Sequence, residues 1–339
     1  MAPPDGLAKT LPMKTVTLTD TTIRTTALGF GTATLFRLPT ARERRRVLDA
    51  ALDAGIRHFD AARSYGFGEA ERELGRLAAG RRDEVVIATK FGIVPNTAVR
   101  RLSRIQGPVR RLIKAFPWLR QRLRANSSPL FEERRYDSAS ARLSLETSLR
   151  ALGTDHVDLL FLHEPHADNT DPDEIAAFLE DARQRGLIGA WGISGEPGES
   201  LHVAAGFVPH VPVLQLRDDV LTRTWERAPA SPAARISYGA LSTALPTITS
   251  HLHSSPERRA AWSEATGVDC GDPEQLAALL LQASVAANPS GAVVFSTTRV
   301  DRVGPMATAC AGATEARERL EALRTLVDAE IPSRGLTRT

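Results

Sequence analysis

Short apolar runs alternate with longer amphipathic stretches along most of the chain. Val16–Thr26 alternates branched and polar residues around Thr19-Asp20-Thr21, which predicts a small β-hairpin. Eight strand-like runs follow: Ala27–Thr32, Ile56–Asp60, Val85–Lys90, Val157–His163, Ile188–Ser194, Val213–Leu216, Ala234–Tyr238 and Ala292–Ser296. Between them lie stretches with helical periodicity. The first opens at Thr40, a good N-cap, carries Val47, Leu48, Ala51 and Leu52 on one face, and stops at Gly55. Further helices are predicted at Ala70–Ala79, Ser138–Leu152, Asp173–Arg185, Asp272–Ala287, Arg299–Ala311 and Thr314–Ala329. A weaker one falls near Glu199–Ala205, and only a short segment near Trp225 separates the sixth and seventh strands.

Strands that are apolar on both faces belong to parallel sheets covered by helices. Eight such units in one chain predict a (β/α)8 barrel, an α/β TIM barrel with an N-terminal hairpin. The competing architecture is an open doubly wound sheet. It would announce itself by a GxGxxG turn after the first strand. Gly29-Phe30-Gly31 lacks the third glycine. Residues 14–330 are expected to form the single barrel, with loose tails at 1–13 and 331–339.

Composition narrows the class. Apolar content of 42% and charged content of 24% suit a globular protein in water. A net charge of +3 is too mild to imply nucleic acid by itself. Cys270 and Cys310 form no CxxC pair and have no histidines at zinc spacing, so free thiols in a reducing cytoplasm are expected. No run reaches the ~20 apolar residues of a membrane span, and residues 1–12 lack the apolar core of a signal peptide. His163-Glu164-Pro165-His166 is not HExxH, and its proline breaks helical spacing, so no metal is expected. His251-Leu252-His253 reads as part of a solvated loop rich in Ser and Pro.

The candidate chemistry sits at strand ends. Asp60, Lys90 and His163 each close an apolar run, and Tyr65 lies five residues beyond Asp60. Polar groups at the C-terminal ends of barrel strands converge on one face, where such enzymes keep their chemistry. An acid, a phenol, an amine and an imidazole form a proton-transfer set.

These residues carry a family resemblance. Phe59-Asp60-Ala61-Ala62-Arg63-Ser64-Tyr65-Gly66 with Glu71-Arg72-Glu73-Leu74-Gly75, then Ala88-Thr89-Lys90-Phe91-Gly92, Val157–His163 and Gly192-Ile193-Ser194, resemble the aldo/keto reductases in order and spacing. The likeness runs over about residues 24 to 312. Gly68-Glu69-Ala70-Glu71-Arg72 and His163-Glu164-Pro165 are most similar to the bacterial sugar-dehydrogenase-like members. The resemblance implies NADPH, with NADH as the alternative, passing hydride to the carbonyl of an aldehyde or ketone. Tyr65 would protonate the carbonyl oxygen. A free phenol, with a pKa of ~10, is a weak acid, and a neighbouring Lys90 would favour the phenolate. Asp60 would hold Lys90, and His163 would orient the substrate oxygen.

The resemblance also assigns cofactor contacts. Gly31 and Thr32 close the first strand, and Ser194 and Gln215 match the residues that hold the nicotinamide carboxamide. Ser296, Thr297, Thr298 and Arg299 offer hydroxyls, backbone N–H groups and a guanidinium at a helix start, and Arg302 matches the grip on the NADP 2′-phosphate. Three positions depart. Gly195 stands where the family has Asn, Asp218 where an aromatic often stacks on the nicotinamide, and Met306 where an Asn touches adenine. Asp218 and Trp191 are expected beside the substrate. Rival functions are a sugar hemiacetal dehydrogenase or an imine reductase on the same site, and a nicotinamide-binding sensor with little turnover.

The segment 94–137 interrupts the alternation after the third strand. Loops at that point usually run 2–6 residues. From Arg100 to Arg124 it carries nine basic residues and no acid, and Val109, Leu112, Ile113 and Phe116 recur at helical spacing before Pro117. A basic rim over the catalytic face would recruit an anionic substrate or one tethered to an acidic carrier. Nucleic acid is not expected there, because Phe116 and Trp118 are the only aromatic residues between Arg100 and Arg124.

Overall fold

In a computed structural model, which describes residues 13–95, 132–313 and 316–331, the eight apolar runs close into a parallel barrel in chain order. Its strands are β3 (Leu28–Gly31), β4 (His58–Asp60), β5 (Val86–Phe91), β8 (Val157–His163), β9 (Ile188–Gly195), β10 (Val213–Arg217), β11 (Ala234–Tyr238) and β12 (Ala292–Phe295). Two antiparallel pairs lie outside it: β1 (Thr15–Thr17) with β2 (Arg24–Thr26), and β6 (Ile93–Pro95) with β7 (Glu132–Arg134). The expected barrel and N-terminal hairpin are both present. Most of the basic segment, with its expected helix, falls outside the described residues, as do residues 1–12 and 332–339.

Alternation along each strand splits the core in two. Val86, Ala88, Leu159, Phe161, Ala190, Val213, Ile236 and Val294 point inward and fill the barrel, with Leu18 and Ile23 of the hairpin turn packed among them. Leu28, Phe30, Ile87, Leu160, Leu162, Ile193 and Leu216 point outward against the helices. These helices are α1 (Ala41–Asp53), α2 (Glu69–Ala78), α3 (Ser138–Leu152), α4 (Pro172–Gln184), α5 (Pro197–Ala204), the single turn α6 (Thr224–Arg227), α7 (Ala244–His253), α8 (Pro256–Thr266), α9 (Pro273–Ala287), α10 (Val300–Ala311) and α11 (Arg317–Glu330). Local chemistry sets their ends. Thr40 and Glu43 form a reciprocal capping box on α1, Asp137 caps α3, and Gly153 ends α3 in the left-handed region.

The expected loop around His251 is instead two helices, α7 and α8. Ala244, Ile248 and Leu252 are buried along one face of α7, and Trp262 is fully buried on α8. Glu330 of α11 gathers them. It accepts from Trp262 Nε1 at 3.1 Å and pairs with His251 Nε2 at 2.8 Å and Arg258 Nε at 2.9 Å. Local signals support α8, which Ser255 caps, Pro256 opens and Gly267 ends, while α7, rich in Thr, Ser and His, leans on packing against its neighbours.

Candidate active site

Asp60, Lys90, His163, Ser194 and Gln215 share the inward face of their strands, at or near the C-terminal ends. Lys90 Nζ donates to Asp60 Oδ1 at 2.5 Å and to the Ala61 carbonyl at 2.9 Å. Gln215 Nε2 donates to Asp60 Oδ2 at 2.8 Å, and Ser194 Oγ donates to Gln215 Oε1 at 2.6 Å. The four side chains form one continuous buried chain across β5, β4, β10 and β9. Two of them were expected in catalysis and two at the cofactor, and the structure wires them together. Both carboxylate oxygens of Asp60 and both ends of the Gln215 amide are bonded, as burial demands.

Tyr65 stands above this chain. Its ring lies 5.1 Å from Lys90 Nζ and meets the His163 ring edge-on, with centroids 5.8 Å apart. The turn that carries it is unusual: Gly66, Phe67 and Gly68 all have positive φ. A Cβ on Gly66 would lie 2.5 Å from the Phe36 ring, so only glycine fits. Behind the turn, the fully buried Glu71 accepts from Thr89 Oγ1 at 2.7 Å and from Arg63 Nη1 at 2.9 Å. It therefore ties the Tyr65 loop to the residue beside Lys90.

Burial sets the charge states of the two basic groups in the site. Burial lowers the Lys90 ammonium from the usual lysine range, and the Asp60 carboxylate pulls it back up. Burial, then the Lys90 and Arg134 charges, hold the His163 imidazole well below the usual histidine range, so it is neutral at pH 7. Its Nδ1 is buried with no partner among the described residues. A neutral imidazole can still donate one hydrogen bond to a substrate oxygen. Among the described residues, no three His, Cys, Asp or Glu side chains gather as metal ligands.

The remaining expected residues separate. Gly31 faces inward, and a Cβ there would lie 2.9 Å from Val294 Cγ1. Thr32 donates from both its backbone and its hydroxyl to the Asp60 carbonyl at 2.9 Å, joining β3 to the site. Ser296, Thr297, Thr298, Arg299 and Arg302 cluster at the start of α10, where N–H groups and guanidiniums could hold a phosphate. Both arginines already share a partner: Glu274 Oε1 lies 3.1 Å from Arg299 Nη1 and 3.3 Å from Arg302 Nε. At Gly195, where the family has Asn, a Cβ would lie 2.6 Å from Ser200 Oγ, so a side chain there needs Ser200 to turn away. Met306 is buried among core residues.

Trp191 and Asp218 are not brought to the tetrad. Ala190 points into the barrel, so Trp191 points out, where it packs on Phe207 and donates to Glu180 of α4 at 2.9 Å. Asp218 turns to the corner between β10 and α6. Its Oδ1 accepts from Thr224 N at 2.7 Å, and Ser237 Oγ lies 3.4 Å from Oδ2. It lines a cavity of about 450 Å³ outside the barrel, between α9 and α11. Burial raises its carboxyl to about 6. Asp219 accepts from Leu221 and Thr222 N–H groups, so the acid pair serves this turn.

Sequence reading passed over Arg217 and Tyr238, although each ends an apolar strand run. Arg217 pairs with Glu196 at 2.8 Å, its guanidinium lies 5.3 Å from the Tyr238 ring centroid, and the Tyr238 hydroxyl reaches Glu196 at 3.3 Å. The strand-end rule that selects Lys90 selects these two as well.

Comparison with known proteins agrees with this architecture. The model of the aldo/keto reductase family matches residues 27–226. A D-threo-aldose 1-dehydrogenase from Pseudomonas sp is 34% identical over 187 residues, 52% of this chain and 51% of its own length. A 6-dehydroglucose reductase from Agrobacterium fabrum is 31% identical over 152 residues, 43% of this chain and 41% of its own length. The chain thus spans about half the length of the first, and less of the second. The fold matches an aldo-keto reductase from Klebsiella pneumoniae in complex with NADPH, at TM-score 0.65 and 21% identity, covering 96% of this chain and 98% of that one. With the family model covering more than half of its residues, this chain belongs to the aldo/keto reductase family.

Proposed function

We propose that the protein is an NADPH-dependent oxidoreductase that reduces an aldehyde or ketone, with Tyr65 as general acid. The observation that carries this reading is the buried chain Lys90–Asp60–Gln215–Ser194 lying beneath the Tyr65 and His163 rings. Family membership and the NADPH bound to the Klebsiella pneumoniae relative support the choice of cofactor.

The residues present fit such a cofactor. Ser194 and Gln215 present a hydroxyl and an amide for a carboxamide. Gly31 keeps the barrel wall beside Ser296 free of a side chain, since a Cβ there would crowd Val294. The α10 start, with Ser296, Thr297, Thr298, Arg299 and Arg302, would take the phosphates. Bound, the nicotinamide supplies the hydride. The chain's own residues do the rest. His163, neutral, donates to the carbonyl oxygen and fixes its direction. Tyr65 gives its hydroxyl proton to the oxygen as negative charge develops there. Lys90 stabilises the phenolate left behind, and Asp60 keeps Lys90 charged and in place.

Sugars are the substrate class favoured by the relatives, whose names include an aldose dehydrogenase and a dehydroglucose reductase. The first of these favours the oxidative direction on the same residues, with Tyr65 as base. The nine basic residues from Arg100 to Arg124 support an anionic or carrier-tethered carbonyl, and the buried free thiols of Cys270 and Cys310 support a reducing cytoplasm. Among the described residues, no helix is long and apolar enough to cross a membrane.

The test is Tyr65→Phe. NADPH affinity, read by fluorescence titration, should stay near wild type. Turnover across a panel of sugar-derived and simple carbonyls should fall about 10²–10⁴-fold, the usual value of a general acid. A Phe variant with wild-type kcat would overturn the assignment.

A further inference from the structure

The chain leaves β5 through Gly92 and β6, and returns through β7. The returning segment grips the turn that follows His163. Tyr136, only 2% exposed, places its hydroxyl 2.7 Å from the His163 carbonyl and 2.8 Å from the Glu164 carbonyl. Arg134 donates from Nη1 to the same Glu164 carbonyl at 3.0 Å and from Nη2 to Glu164 Oε2 at 2.9 Å. Glu164 N donates in turn to the Ser194 carbonyl at 2.7 Å.

These contacts converge on a residue in a costly conformation. Glu164 has φ of +50°, in the left-handed region where a non-glycine residue is uncommon. Such strain persists only where the surroundings over-determine it. The seat for Tyr136 is built as well. Gly92 sits at φ +105°, and a Cβ there would lie 2.1 Å from Tyr136 Cε1. The turn so held begins one bond after His163. The imidazole Nδ1 finds no hydrogen bond among the described residues, so no partner at that atom fixes the ring. Its direction therefore depends on packing, including the near-perpendicular contact with the Tyr65 ring, and on the backbone that carries it.

We propose that Tyr136 and Arg134 are positioning residues for His163: by clamping the His163–Glu164 turn they hold the imidazole where it meets the substrate oxygen. The insertion between β5 and α3 therefore reaches the chemistry through its return strand. The inference rests on the reading of His163 as the group that orients the carbonyl.

The test is a double-mutant cycle with His163→Gln. Tyr136→Phe in the wild-type background should lower kcat/KM about 10–100-fold, the scale of a misplacement near 1 Å. The loss should fall mainly on kcat, and the Kd for NADPH should not move. In the His163→Gln background, Tyr136→Phe should cost less than about twofold, because the residue it serves is gone. Equal losses in both backgrounds, or no loss in wild type, would overturn the inference while leaving the assignment of His163 intact. A His163→Gln enzyme with full kcat/KM would overturn both. Should Tyr136→Phe fail to fold, Arg134→Met, at the exposed rim, goes through the same cycle: a loss confined to the wild-type background supports the clamp, and equal losses or none overturn it.

Discussion

Replacing Lys90 by Met removes an ammonium from the most buried part of the site while keeping most of its stem. In the native protein Nζ is 2.5 Å from Asp60 Oδ1, with side-chain exposures of 2% and 6%. Without it, Asp60 keeps a single side-chain donor, Gln215 Nε2 at 2.8 Å, among the described residues. Breaking one side of a buried ion pair costs about 3–5 kcal/mol, because the surviving charge has neither water nor partner. Neutralising both sides costs far less. Lys90→Met should therefore lose about 3–5 kcal/mol of stability, and adding Asp60→Asn should return more than half of that. Equilibrium urea unfolding of the three proteins at pH 7.5 measures it, with midpoints compared at constant m-value. Activity should not recover with stability, since the cation beside Tyr65 is absent in both variants. A double variant as unstable as the single one would refute the charge argument. It would mean that Lys90 stabilises the barrel by packing alone.

Three further outcomes follow from the same geometry. Asp218 has its carboxyl raised by burial from 3.8 to about 6, so its contribution is present below about pH 4 and lost as pH rises through about 6. Asp218→Asn, which keeps an acceptor for Thr224 N, should therefore unfold at higher urea than wild type at pH 7.5, by ~1–3 kcal/mol, with no gain near pH 4. An equal gain at both pH values would show that its charge is not the cause. His58 is fully buried inside the barrel, bonded to Thr25 Oγ1 at 3.3 Å, and burial lowers it from 6.5 to about 4. Unfolded chains take up a proton that the fold refuses, so stability should fall from about pH 6.5 towards 4, by ~3 kcal/mol from this residue. His58→Gln should flatten that slope, and a variant with the wild-type slope would contradict it. At the α10 start, Glu274→Gln should free Arg302, while Arg299 keeps its second partner Asp301, and NADPH should tighten about two- to fivefold with NADH unchanged, in line with ~0.2–1 kcal/mol for an exposed ion pair. Parallel changes in both Kd values would place the phosphate elsewhere.

The barrel was legible in the sequence because its strands are apolar on both faces and the stretches between them carry helical periodicity. Val157–His163 was read to the residue, and Thr40 announces its helix. Asp60, Lys90 and His163 were legible for a related reason: a polar group ending a buried strand is costly unless it has work or a partner there, while Tyr65, five residues past its strand, was picked out by the family resemblance. What the local pattern could not say is which way a side chain turns once the sheet closes. Trp191 looked like a site residue, but period two puts it outside because Ala190 points in, and that choice belongs to the whole barrel. Asp218 faces a corner that exists only because α6 is a single turn. Helix α7 has Ala244, Ile248 and Leu252 at helical spacing among Ser, Thr and Pro, and α8 carries signals the sequence reading passed over: Ser255 caps it, Pro256 opens it and Gly267 ends it. What the sequence does not show is how the two are joined: Glu330, 79 and 68 residues away in the chain, bonds His251 and Trp262. The links from Gln215 to Asp60 and from Tyr136 to His163 likewise join positions 155 and 27 residues apart. Sequence determined which segments must be buried and which end carries the polar groups, through periodicity and capping that act within a few residues. Only the closed tertiary structure decided which buried polar atoms find one another, because hydrogen-bond partners are set by register and packing across the chain.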